Sequence, residues 1–178
     1  MENSWNTVLW RQFGAAIDML ENALVACPDT LWQGHLWIDS EGPEYGTFWD
    51  ITYHTLCWLD LYLTGCSVEE FTPPAPFKKG SDDVIPKQPY TKDELHGYLV
   101  HLRKKGQTTI AELTDEKAHQ QFTFPWPGGT SMSFLELQLY NMRHVQEHAA
   151  QLRLFLGQHS IPDEVLDWVP GAKGEPGS

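Results

Sequence analysis

Positive charge is scarce in this sequence. Among 178 residues, 12 are Lys or Arg and 24 are Asp or Glu, giving a net charge of -12. There is no basic stripe, so nucleic acid and anionic membrane, which select clustered positive charge, are not expected as partners. The acidity reads as solubility. Cysteine is also sparse. Cys27, Cys57 and Cys66 form an odd set whose spacing fits neither a zinc ribbon nor a CxxC motif. They read as reduced thiols of a cytoplasmic protein. Long apolar runs are missing too. The most apolar stretch, "ITYHTLCWLDLYL", is too short for a membrane span and contains Asp60. The start, "MENSWNTVLW", lacks the basic residues and apolar run of a signal peptide. Tryptophan, by contrast, is abundant: eight residues, some expected in the core and others lining a pocket or a subunit contact.

Hydrophobic residues make up 41% of the chain, enough for one domain with a substantial core. Four segments have helical periodicity, and no pair of segments reads as a β-hairpin. The first runs from about Asn3 to Ala26 and is ended by Pro28. The second runs from near Thr47 to Thr64, with Gly65 as its stop. The third opens at Thr91, which forms a capping box with Glu94, and continues to about Leu113. The fourth opens at a second Ser133/Glu136 box and stops at Gly157. The links between them are long: 27–46 is rich in Gly, Pro and Trp, 65–90 is rich in proline, and 114–132 includes "FTFPWPGGTSM". Loops of that length in a compact domain commonly serve or cover a site. The pattern predicts an all-α four-helix bundle over residues 1–160 and an extension over 161–178, partly disordered in its Gly-rich tail.

Two histidines fall inside the fourth helix. At 100° per residue, His144 lies about 40° and Asn141 about 20° from His148. Leu137, Leu152 and Phe155 share that sector, so both rings lie on the apolar stripe. On the second helix, His54 lies on the sector of Leu61 and Trp58. A lone imidazole on an apolar face is ordinarily a hydrogen-bonded core residue. Three of them, pointing inward from two helices, fit a divalent cation with open coordination positions. Asp50 and Asn141, one turn from His54 and His144, are placed to hold the rings. Leu56, Leu59 and Leu63 cover the opposite side of the second helix, which predicts a second buried surface, a homodimer contact. Cys57 is either a soft fourth ligand or a small buried hydrophobe.

The segment "FWDITYHTLCWLDLYLTG" resembles the second helix of the DinB/YfiT-like superfamily. "LQLYNMRHVQEHAAQLRLFLG" resembles its fourth helix, with an H-x-x-x-H pair followed by Gln, an aliphatic run and Gly. The resemblance covers about residues 5–157. It implies a four-helix bundle, often dimeric, with a metal held by His54, His144 and His148. Neutral histidine nitrogen suits Zn, Ni, Fe or Cu, with Zn, Ni or Fe the expected cofactor, and a small molecule is the expected substrate. Characterised members of the family include enzymes that work with low-molecular-weight thiols, among them bacillithiol or glutathione S-transferases and a mycothiol-dependent maleylpyruvate isomerase. Others are linked to stress or DNA-damage induction. A transferase acting with such a thiol is the expected function, with Trp58 and Trp126 as pocket walls. Two alternatives remain open. The string H-V-Q-E-H also matches the H-x-x-E-H of inverted zinc peptidases, which would make Glu147 the general base of a hydrolase. A metal-binding stress protein without catalysis would use the same bundle.

Overall fold

The computed structural model describes residues 4–38, 40, 42, 45–78, 88–123, 130–162, 166 and 168–174. Four long helices form the body: α1 (Trp5–Ala26), α2 (Phe48–Thr64), α3 (Lys92–Ala111) and α5 (Phe134–Gln158). A short α4 (Asp115–His119) and strands β1 (Gln121–Thr123) and β2 (Ser131–Ser133) lie between α3 and α5. The ends of the helices follow from their capping chemistry. Ser4, Thr91 and Ser133 each accept the N–H three residues on, and Thr91 with Glu94 completes the reciprocal box. Gly65 closes α2 at φ 67°, a left-handed conformation that glycine takes without strain.

α1 packs on α3 and α5, and α2 packs on the same two helices, so α1 and α2 are diagonal in the bundle. Cross-helix pairs fix the directions. Asn6 reaches the carbonyl of Ile110 while Glu21 meets His96, so α1 and α3 are antiparallel. Asp60 meets Tyr98 and Thr64 meets Lys105, so α2 and α3 run parallel. Parallel neighbours require the chain to return the length of a helix before the second can start, and the diagonal pair requires a crossing. Those two demands account for the long links. They carry structure of their own: in the first, Trp32 Nε1 donates to the Tyr90 carbonyl at 2.9 Å. In the second, Phe77 stacks on Tyr98, ring centroids 4.4 Å apart.

Several expectations need correction. The link between α3 and α5 does contain a hairpin, three antiparallel pairs from Gln121↔Ser133 to Thr123↔Ser131. Strands of three residues carry too little alternation to register as a pattern. α5 runs through Gly157 to Gln158, and the left-handed residue beyond it is Ser160 at φ 62°. The tail is not loose over residues 171–174. Ala172 is fully buried, its N–H bonds to the Arg11 carbonyl at 2.8 Å, and the Lys173 N–H bonds to Asp18 at 2.6 Å. Gly14 makes that docking possible, because a Cβ there would lie 2.5 Å from the Ala172 methyl. Finally, 14 of the 17 residues of α2 are buried within a single chain, Leu56, Leu59 and Leu63 among them. The all-round apolar character of α2 is therefore accounted for by the chain's own core, and it no longer argues for a homodimer contact. Among the described residues no helix is long and apolar enough to cross a membrane.

Candidate metal centre

Side chains spaced four apart on a helix stack along one face. α2 presents His54, Trp58 and Tyr62 in this way, and α5 presents His148, His144 and Tyr140. The two rows meet head to tail. Tyr62 and Tyr140 pack edge to face with centroids 5.6 Å apart, and His54 meets both α5 histidines at the other end. Two amides hold the register between the helices. Gln138 Nε2 donates to the Tyr62 carbonyl at 2.8 Å and Asn141 Nδ2 to the Leu59 carbonyl at 3.3 Å. Both amides are fully buried, so the bonds form away from competing water.

This register brings the three imidazoles together through the same atom. His144 Nε2 lies 3.3 Å from His54 Nε2 and 3.1 Å from His148 Nε2. One nitrogen from each ring falls within 4.8 Å of both others, and no carboxylate or thiol belongs to the group among the described residues. Ligands about 2.0–2.1 Å from one cation sit about 2.8–3.4 Å apart, from cis octahedral to tetrahedral geometry. The observed separations fall in that interval. The donor chemistry also fits. Two imidazole lone pairs cannot face each other at 3.1 Å unless a proton or a cation lies between them. All three rings favour the neutral state that offers a lone pair. Burial first, then the neighbouring His148, pushes His54 down to about 3. Burial, then His148 and His54, pushes His144 down to about 3. Burial lowers His148 as well, against the opposing pull of Gln151 and the Glu147 charge.

The surroundings divide the remaining candidates. Asn141 has its Oδ1 buried with no partner among the described residues, and His144 Nδ1, one turn on, is in the same condition. Asp50 accepts the Gly46 N–H at 3.0 Å at the start of α2. Cys57 points elsewhere: its thiol faces the Lys78 carbonyl at 3.9 Å, beside Tyr53, as a small buried side chain. Trp58 is half-buried with its ring 6.1 Å from that of His54, while Trp126 lies outside the described residues. Glu147 is exposed and lines a groove of about 420 Å³ with Gln12 and Ala15 of α1 and with Trp168 and Val169. A base for hydrolysis has to reach the cation, and an exposed carboxylate on the α1 side of the helix gives that role no support.

The residue that spacing alone did not bring out is Gln151. Its Oε1 lies 2.8 Å from His148 Nδ1. The interval of three residues, which puts the two side chains on neighbouring turns, is the signal that was there to be read.

A sequence model of the DinB superfamily matches residues 12–152, a span that contains all three histidines. No curated protein and no solved structure matches the chain. With most of its length matched, a bundle of four long helices and an inward-facing trio of imidazoles, the chain belongs to the DinB superfamily.

Proposed function

We propose that His54, His144 and His148 hold one divalent cation, Zn, Ni or Fe, and that the protein is a metal-dependent enzyme that transfers a group to or from a low-molecular-weight thiol. The observation that carries the metal site is the meeting of three Nε2 atoms at 3.1 and 3.3 Å. Three neutral nitrogen donors leave coordination positions open, the arrangement of catalytic rather than structural sites. A bound cation of this kind supplies a Lewis acid that favours the ionised form of a thiol at neutral pH.

The chain's own residues do the rest. Burial keeps the imidazoles neutral and free to donate their lone pairs. Gln138 and Asn141 keep α5 in register with α2, which keeps His54 opposite the α5 pair. Asn141 Oδ1 and His144 Nδ1 are both buried without a partner among the described residues, one turn apart on α5, and Asp50 lies one turn before His54 on α2. Trp58, half-buried with its ring 6.1 Å from that of His54, is the wall against which a small electrophilic substrate would be positioned.

The test has two stages. Metal analysis of the purified protein beside a His148→Ala variant is expected to give one divalent ion per chain in the first and none in the second. Addition of a low-molecular-weight thiol to the Co-substituted protein is then expected to change its visible spectrum. Metal without a thiol response would leave a non-catalytic metal-binding protein, and equal metal content in both proteins would refute the site.

A further inference from the structure

We infer that Gln151 is a positioning residue that holds His148 in the Nδ1–H tautomer, turning the Nε2 lone pair toward His144 and His54. The inference rests on the three-histidine reading for its purpose but not for its observation.

A neutral imidazole has one N–H and one lone pair, and the partner of one nitrogen decides which is which. His148 Nδ1 faces Gln151 Oε1 at 2.8 Å. An amide oxygen only accepts, so the proton belongs on Nδ1 and Nε2 is left bare. That bare nitrogen is the one 3.1 Å from His144 Nε2. The other orientation of the amide would turn its NH2 toward Nδ1, move the proton to Nε2 and leave His148 unable to ligate. The two amide orientations thus correspond to a competent and an incompetent ring. His144 shows what an unassisted ring looks like: its Nδ1 is buried without a partner among the described residues. Gln151 stands three residues beyond His148 on α5, both side chains are half-buried, and the helix fixes their separation. Rigid placement of this kind is what makes one hydrogen bond select a tautomer.

The test reads the ring itself. Histidine labelled with 15N in the ring distinguishes Nδ1–H from Nε2–H in the metal-free protein. Wild type is expected to show His148 as Nδ1–H. Gln151→Leu is expected to shift it toward Nε2–H and to weaken Zn binding, measured by competition with a chelator, about 10–100-fold. Gln151→Glu keeps an oxygen acceptor and is expected to restore both the tautomer and the affinity. The thermal midpoints of the metal-free variants are expected to stay at the wild-type value, which separates positioning from loss of fold. His148 found as Nε2–H in wild type overturns the inference, as does a Gln151→Leu protein with unchanged tautomer and unchanged affinity. A protein that binds no Zn but whose His148 tautomer follows residue 151 supports the inference while refuting the metal site.

Discussion

Two buried polar clusters stand on opposite sides of this bundle. On the α1–α3 side, Asp18 is fully buried and its carboxylate takes Arg103 Nε at 2.7 Å, a second Arg103 nitrogen at 3.3 Å and the Lys173 N–H at 2.6 Å. Arg103 in turn donates to the Lys173 carbonyl at 2.8 Å. Every charge there is matched, and the result is architecture: two helices and the C-terminal strand of chain held by one carboxylate. On the α2–α5 side, three imidazoles face one another through atoms that cannot all be satisfied by one another, and His144 Nδ1 and Asn141 Oδ1 have no partner among the described residues. Burial without satisfaction is costly and persists where something else completes the set. The difference separates a cluster that holds the fold from one whose donors could hold a cation.

The comparison is broken most forcefully by removing a ligand. His54→Ala is expected to lower metal affinity about a thousandfold, or about 4 kcal/mol, given that complete zinc sites are worth about 10–16 kcal/mol. Chelator competition measures it. The fold of the metal-free variant should survive, because no charge loses its partner.

The next effect is on pH. In the metal-free protein, above pH 6.5 the folded and unfolded chains both carry neutral histidines and these rings contribute no slope. Between 6.5 and about 3 the unfolded chain binds protons that His54 and His144 in the folded chain do not, so stability falls as the pH falls. Below about 3 the loss levels off. Two such groups are expected to remove about 3–4 kcal/mol by pH 5, since each gives about 1.4 kcal/mol per pH unit at full slope. Urea titrations at pH 7 and pH 5 would show it, and His144→Ala should flatten the slope.

Asp18→Ala is expected to cost about 3 kcal/mol, because it leaves a guanidinium and a backbone N–H without their acceptor in a mostly buried place. Its metal affinity should equal that of wild type. A large loss of metal binding in this variant would mean that the two clusters are not independent. The smallest effect is expected from Gly14→Val. The added Cβ would collide with the Ala172 methyl, displacing the docked tail at a cost of about 1–2 kcal/mol. Faster hydrogen exchange at the Lys173 N–H would report it.

The site was more legible in the sequence than the cluster that holds the fold. His54, His144 and His148 lie on apolar stripes, and a 100° step per residue is enough to place them on faces that can meet. The helix ends at Thr91, Ser133 and Gly65 were legible for the same reason: caps act within four residues of themselves. What could not be read was made by distant chain. Gly-Ala-Lys-Gly after Pro170 has the composition of a loose tail, and it is ordered only because Asp18, Arg103 and the gap at Gly14 receive it. The apolar circumference of α2 pointed to a second buried surface, and 14 of its 17 residues are buried within the single chain. Glu147 looked catalytic in a linear motif and is exposed on the α1 side of α5.

X-ray absorption at the metal edge of Zn- or Co-loaded protein tests the shared-cation geometry most directly. One ion per chain with three imidazole nitrogens at about 2.0–2.1 Å is the expected result. An ion bound through carboxylates or thiols, or by fewer than three imidazoles, would contradict the account.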